Sequence, residues 1–316
     1  MQASKLKFGK LFSNQRENQL AQVAVLYYEK DISQKNIGEM LGLSKMTVSR
    51  LLQRAKKTNI VNTNIKLPFE FNNALGGKME DNFDLEEAIV IKNVKGIKIS
   101  ELIGSAWAFY MGINDLNNKK IGMGVGRTIG AMVDNLTPIK TKNTHIIQLM
   151  GGLTDVSSSN PFTITQEVCK KLGATGTYLT SFATVNSKDL KKEIISTCHL
   201  RDTDLSKCDM AIFGIGVFKK GTILSPDLVR EGEFEELKQK EVVGDILGHC
   251  FDNKGNFVDS DLEDRLISIP LDRLRECGNN IALVGGDYKV SSIKGALRTG
   301  IINTLIIDED IVKKIV

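Results

Sequence analysis

Between Gln34 and Arg54 the chain reads QKNIGEMLGLSKMTVSRLLQR, and the residues that could do chemistry there suit nucleic acid. Ser44, Lys45, Met46, Thr47, Ser49, Arg50 and Arg54, with Gln34 at the start of the segment, are spaced to lie on the outside of a helical pair. Arginine reads guanine through paired hydrogen bonds, serine and threonine meet bases or phosphates, and a methionine fits against a thymine methyl. A helix carrying that face suits the major groove of DNA. The bland alternative is a helical hairpin with a solvated charged face. Charge tips the balance. Residues 1–62 hold eleven Lys/Arg against four Asp/Glu, a net +7, while the rest of the chain carries −3. A concentrated cationic head supplies the salt-sensitive, sequence-independent part of DNA affinity.

A second set of residues suits an anion. GVGRT at 124–128, GG at 151–152, GIG at 214–216 and GG at 285–286 each follow a short apolar run. Glycine lets a backbone approach a ligand closely, and helix N-termini favour anions. In an open α/β sheet such ligands collect at the carboxyl ends of the strands. The Thr128 hydroxyl, the Arg127 guanidinium and the backbone at Gly124 and Gly126 could cradle a phosphate, and Lys289, shortly after Gly286, could reach the same group. GVGRT is neither a dinucleotide fingerprint, since position 129 is Ile, nor a P-loop, since it lacks Gly-Lys-Ser/Thr.

Two kinds of element must position these residues. Ile37, Met40 and Leu41 recur at helical spacing, as do Val48, Leu51 and Leu52. Between them Gly42 suits a sharp reversal with positive φ, Leu43 plugs the junction, and Ser44 can cap the following helix. Gly38 is small enough for close packing. An earlier helix over 18–30 offers Leu20, Val23, Ala24 and Tyr27. Residues 60–67 read as a short strand or wing. The expected division is a helix-turn-helix domain over 1–65, a connector over 66–86 containing a short helix, and an α/β domain over 87–316. In that last part β-rich runs at 88–91, 121–125, 145–150, 210–216, 281–286 and 303–308 alternate with amphipathic stretches such as 99–113 and 288–297. Continuous apolar strands separated by helices predict a mainly parallel sheet covered on both faces, a Rossmann-like α/β fold.

Composition excludes other classes. The chain has 316 residues, 41% hydrophobic and 25% charged, ordinary for a globular protein. No apolar run approaches the roughly 20 residues of a membrane helix, and MQASKLKFGKLF lacks the apolar core of a signal peptide. Cys169, Cys198, Cys208, Cys250 and Cys277 are scattered without a CxxC pair, and His145, His199 and His249 are isolated. That spacing suggests no metal site and no disulfide framework, and fits a reducing cytoplasm. No cofactor is expected.

LYYEKDISQKNIGEMLGLSKMTVSRLLQRAKKTNIV, followed in order by GVGRT, QLMGGL, AIFGIG, VVGDILGHCFDNKGN, ALVGGDYKVSSIKGAL and INTLIIDE, resembles the SorC family of sugar-binding bacterial transcriptional regulators over nearly the whole chain. The resemblance implies an operator-binding head and an effector domain similar to the sugar-phosphate isomerase and glucosamine-6-phosphate deaminase fold. Its ligand would be a phosphorylated sugar or related metabolite, and its assembly a homodimer or homotetramer. By position it implies a phosphate-side loop at Gly124, Gly126, Arg127 and Thr128, a phosphate contact at Lys289, an acidic group facing the sugar at Asp245, and pocket-lining backbone at Gly151, Gly152, Gly214 and Gly216. Two departures shape the expectation. The deoxyribonucleoside regulators of that family carry a Schiff-base lysine where this chain has Met150, so noncovalent capture is expected here. The deaminase relatives place proton-moving groups after their glycines, whereas VFKKG follows Gly216, and a general acid or base must reach the proton it moves. A regulator is expected, acting as a repressor relieved by ligand; the alternative is a sugar-phosphate isomerase or deaminase fused to a DNA-binding domain.

Overall fold

A computed structural model describes residues 15–61, 69–154, 159–197, 208–219, 228–285 and 290–316. The chain divides into two compact units, Met1–Pro68 and Phe69–Val316.

The first unit holds α1 (Gln15–Tyr28), α2 (Gln34–Leu41) and α3 (Lys45–Lys57). Each boundary between the helices has a local cause. Ser33 accepts the Asn36 N–H to open α2. Gly42 closes α2 at φ 67°, and its N–H donates to the Gly38 carbonyl, the αL ending that glycine adopts at least cost. Ser44 then opens α3 by accepting the Thr47 N–H at 3.1 Å. Val23, Ile37, Val48 and Leu52 form one buried cluster, and Leu20, Ala24 and Ala55 a second, with Ile60 and Val61 packed on it. Met40, expected in the apolar stripe of α2, is instead 60% exposed. Gly38 fills its place in the packing: a Cβ there would stand 2.5 Å from the Leu43 carbonyl oxygen. The expected strand or wing over 60–67 falls mostly outside the described residues.

The second unit begins earlier than expected. Most of the supposed connector over 66–86 is built into it. Phe71 bridges Ile91 in antiparallel fashion, and α4 (Asn73–Phe83) lies on the next strand so closely that a Cβ on Gly76 would be 2.6 Å from the Ala88 carbonyl oxygen. There follow β1 (Glu87–Ile91), α5 (Ile99–Ile113), β2 (Lys120–Met123), α6 (Arg127–Asn135), β3 (His145–Gln148), α7 (Pro161–Leu172), β4 (Thr175–Thr177), α8 (Lys188–Thr197), β5 (Met210–Phe213), β6 (Gly216–Val217), α9 (Glu231–Gln239), β7 (Val242–Ile246), β8 (His249–Asp252), α10 (Leu271–Arg275), β9 (Asn280–Val284), α11 (Val290–Arg298), β10 (Thr304–Asp308) and α12 (Glu309–Ile315).

Among the described residues, seven strands form a parallel sheet in the order β1-β10-β9-β5-β2-β3-β4. β9 and β10 are buried along their whole length, as strands covered on both faces must be. Each expected strand is present. The 210–216 run is divided, β5 joining the main sheet and β6 a three-stranded antiparallel sheet, β6-β7-β8. The chain leaves β2 for β3 on one side of the sheet, yet β5 returns on the other side of β2. The β2–β5 boundary is therefore the topological switch point, where open α/β sheets leave a crevice.

Candidate functional site

In the first unit, Ser44, Lys45, Met46, Thr47, Arg50 and Arg54 are exposed, while Gln34 and Ser49 are half-buried. Met46 is 66% exposed, and an apolar side chain held in water at the start of α3 makes chemical sense beside a thymine methyl. Arg54, Lys56 and Lys57 stand in the last turn of α3, where they also complement the helix dipole.

In the second unit, the β2–α6 turn lies at the switch point. Gly124 donates its N–H to the Ile212 carbonyl at 2.8 Å, and a Cβ on it would come 2.8 Å from Phe213 Cβ and 2.9 Å from Leu247 Cδ2. Gly126 opens α6 at φ 129° and ψ 162°, and no side chain caps the helix. That conformation belongs almost wholly to glycine. Arg127 is exposed and Thr128 is buried at the first turn.

Asp245 reaches the same region from β7. It is 4% exposed, pairs with Gly216 across the small sheet, and accepts the Gly248 N–H on Oδ2 at 3.0 Å. Gly216 has to be glycine, because any Cβ would collide with the Asp245 carboxylate. Burial, with the charges of Asp245 and Glu263, holds the Cys250 thiol well above the usual thiol range. Gly214 has more room, its nearest neighbour being the Val125 carbonyl oxygen, 3.4 Å from where a Cβ would sit.

The glycines at 151 and 152 have a packing role. A Cβ on Gly151 would stand 2.5 Å from the Phe182 carbonyl oxygen, and Gly152 exchanges backbone hydrogen bonds with Ser181 and Ala183. The close passage of this segment uses the smallness of Gly151, whereas a Cβ on Gly152 would lie an ordinary 3.7 Å from the Ser181 carbonyl oxygen. Met150 is fully buried, with its backbone bridged to Ser268 and its side chain among Val125, Ala183 and Leu266. Gly286 and Lys289 lie outside the described residues, and α11 starts immediately after them.

Three features escaped the sequence reading. Leu247 adopts φ 53° and Gly248 φ 88°, a two-residue hairpin turn with positive φ at both positions. Leucine is a costly choice there, and its buried side chain reaches under Gly124; the LG between two apolar runs was the available signal. Arg265 and Glu233 form a buried pair, with Arg265 Nε donating to Glu233 Oε1 at 2.8 Å and Nη2 to Oε2 at 2.6 Å. Arg265 also donates to the Val185 and Leu228 carbonyls, tying the entrance of α9 to the loops beside it. No spacing in the sequence announces that long-range pair. Finally, His249 has both ring nitrogens engaged, Nδ1 at 2.9 Å from Glu263 Oε2 and Nε2 at 2.9 Å from the Ile269 carbonyl oxygen. Among the described residues no group of His, Cys, Asp and Glu is arranged to hold a metal.

Comparison with known proteins extends over both units. Residues 67–316 match the Sugar-bind family model, a sugar-binding domain, and residues 18–57 match the model of Sigma-70, region 4. The deoxyribonucleoside regulator of Bacillus subtilis is 33% identical over 305 residues, covering 93% of this chain and 96% of that protein. The sorbitol operon regulator of Klebsiella pneumoniae is 27% identical over 310 residues, covering 92% and 95%. The crystal structure of that full-length regulator, SorC, superposes with a TM-score of 0.67 at 25% identity, covering 94% of this chain and 98% of that one. A transcriptional regulator from Streptococcus pneumoniae TIGR4 superposes with a TM-score of 0.70 at 27% identity, covering 77% and 95%. No helix among the described residues is long and apolar enough to cross a membrane.

Proposed function

Because the chain belongs to the SorC family of sugar-binding transcriptional regulators, we infer that its task, ligand-responsive regulation of sugar metabolism, is carried out as follows. The first unit binds operator DNA through the Ser44–Arg54 face of α3, with Gln34 at its edge. The second unit binds a phosphorylated sugar. The phosphate sits at the first turn of α6, where Gly126 lets it approach, met by the backbone N–H of Thr128, the Thr128 hydroxyl, the Arg127 guanidinium and the Lys289 ammonium. The sugar end faces Asp245, with the backbone of Gly124, Gly151, Gly152, Gly214, Gly216 and Gly286 around it. Capture is noncovalent, since Met150 offers no amine. The protein acts in the cytoplasm as a homodimer or homotetramer, matching a two-fold operator.

The observation that carries this reading is the glycine-opened start of α6 at the switch point of the sheet. A helix N-terminus collects unsatisfied N–H groups and a positive dipole end, the requirements of a phosphate. Asp245, acidic and buried, suits a neutral polyol and would repel a second anion, which sets the ligand's polarity: phosphate toward α6, hydroxyls toward β7. The ligand shifts operator occupancy only through a difference in its affinity for the DNA-competent and DNA-incompetent arrangements, a coupling of about 1–3 kcal/mol in typical systems. Repression relieved by ligand is the sign we propose. The protein is a binder: the two nitrogens of His249, the imidazole nearest Asp245 in sequence, already have protein partners.

A panel of pentose and hexose phosphates, read by thermal shift and by release of a fluorescent operator fragment, tests the proposal. One member is expected to stabilise the protein and to release DNA, with both effects lost in Lys289→Ala. A panel without any stabilising phosphosugar, or turnover of one at a catalytic rate, overturns it.

A further inference from the structure

Cys208 and Cys277 stand apart from both sites. Cys208 precedes β5 and Cys277 precedes β9, and these strands pair in parallel with Ala211 opposite Asn280. Just before each strand, the two cysteines come side by side. The Gly278 N–H donates to the Cys208 carbonyl at 2.9 Å. Cys277 Sγ lies 3.4 Å from that same oxygen, and the two thiols are in hydrogen-bonding reach of one another. That backbone bond and the Sγ contact place the two cysteines on directly adjoining segments, as a disulfide requires. Both side chains are buried in the large apolar cluster of the second unit.

The two sulfurs are also inequivalent. A hydrogen bond from Cys277, helped by Lys120 and a backbone bond at Gly122, keeps the Cys208 thiol below its usual range against burial and the Asp209 charge. The same bond and burial push Cys277 far up. A sulfur held lower beside one held higher gives the order of an attacking and a resolving cysteine.

We propose that Cys208 and Cys277 form a reversible dithiol–disulfide site that hydroperoxides oxidise. The Cys208 thiolate attacks the terminal oxygen of the hydroperoxide. The O–O bond breaks, the sulfur gives up two electrons to become a sulfenic acid, and the alkoxide leaves as the alcohol with a proton from solvent. The Cys277 sulfur then attacks Cys208, the S–S bond forms, and the hydroxyl departs as water with the Cys277 proton. In sum, two thiols and one hydroperoxide give a disulfide, an alcohol and water; an excess of a small dithiol reverses it. The bond would join the amino ends of β5 and β9, at the edge of the sheet opposite the effector site. The loop it closes carries Gly214, Gly216 and Asp245. Oxidation would therefore tie down one wall of that site from behind without occupying it.

The test uses the full-length reduced protein, treated with hydrogen peroxide in modest excess, alkylated and mapped without reduction. The expected result is a chain lighter by two hydrogens, a linked Cys208–Cys277 peptide, and a melting temperature higher by roughly 5–10 °C, all reversed by dithiothreitol. In Cys277→Ser, oxidation should stop at a Cys208 sulfenic acid trappable by a cyclic dione, and Cys208→Ser should give neither product. Should either variant fail to fold, the wild-type map decides alone. Free thiols at both positions after peroxide treatment, or oxidation confined to Cys169, Cys198 and Cys250, overturns the proposal.

Discussion

α3 and α6 begin in opposite ways. α3 closes its own N-terminus, Ser44 Oγ taking the Thr47 N–H at 3.1 Å and lying 2.8 Å from the Thr47 hydroxyl. α6 opens at a glycine in an extended positive-φ conformation, a residue with no side chain to cap it, and the Gly126 N–H donates to the Ser159 carbonyl at 3.4 Å. The first N–H groups of any helix lack partners within the helix, so each arrangement says what the helix is for. α3 settles its backbone internally and turns Lys45, Met46 and Arg50 to solvent; its recognition surface is made of side chains. α6 buries Thr128 and Ile129 and begins at a glycine that contributes no cap of its own; what it offers is backbone. The first suits a ligand that varies in sequence, the second a ligand defined by a constant anionic group.

α9 starts in a third way, and breaking it is expected to cost most. The Glu233 carboxylate accepts the Arg230 N–H at 2.8 Å and is held by the buried Arg265 guanidinium. Glu233→Ala removes this cap and leaves a buried cation without its partner, a loss of about 3–5 kcal/mol to be read by urea unfolding of the second unit. A loss below about 1 kcal/mol would mean that α9, like α6, tolerates an open start, and the contrast would no longer separate structural from functional helix ends.

Gly126→Ala comes next. The φ, ψ region of Gly126 costs a residue with a Cβ about 1–3 kcal/mol, and relieving that strain turns the first N–H groups of α6 away from the crevice. Operator affinity of the ligand-free protein should stay as in the wild type, while stabilisation by the phosphosugar disappears. A full effector response in this variant would remove α6 from the anion site.

Arg50→Ala tests the other side of the comparison. The expected loss is about 1–3 kcal/mol of operator affinity if Arg50 reads a base, with stability unchanged, because the side chain is exposed. Titrations at several salt concentrations sharpen the outcome. An equal loss on specific and random DNA, with the salt slope lowered by about 0.9, would make Arg50 a phosphate contact instead.

How far these two helix starts could be foreseen follows from the range of the interactions behind them. Ser44 and Gly42 were readable because caps and αL turns are decided within a few residues. The parallel strands were readable as apolar runs, and α5 occupies the expected 99–113. Met40 misled because its spacing fits the stripe while Gly38, without a side chain, does the packing. The small sheet is harder to read because β6 has only two residues and the turn between β7 and β8 carries Leu247, a residue that disfavours such turns. The double glycine at 151–152 also packs on the Ser181–Ala183 segment, thirty residues along the chain, a contact that no local pattern announces. The Glu233–Arg265 pair depends on two positions that only the folded chain brings together.

The smallest expected effect isolates the cap from the recognition face, both of which meet at Ser44. Ser44→Ala leaves the Thr47 N–H without its acceptor and should cost the first unit about 1 kcal/mol, whereas Ser44→Gly should cost only a few tenths, since glycine exposes that N–H to water. Both variants remove the same hydroxyl from the DNA-facing surface. If Ser44 serves α3 alone, operator affinity should follow stability and the glycine variant should bind almost as the wild type does. If the hydroxyl also meets a phosphate or base, both variants should lose the same affinity despite their different stabilities. Thermal unfolding and operator titration of the two proteins side by side separate these outcomes, and the second would show a capped helix start sharing one side chain between its own backbone and its ligand.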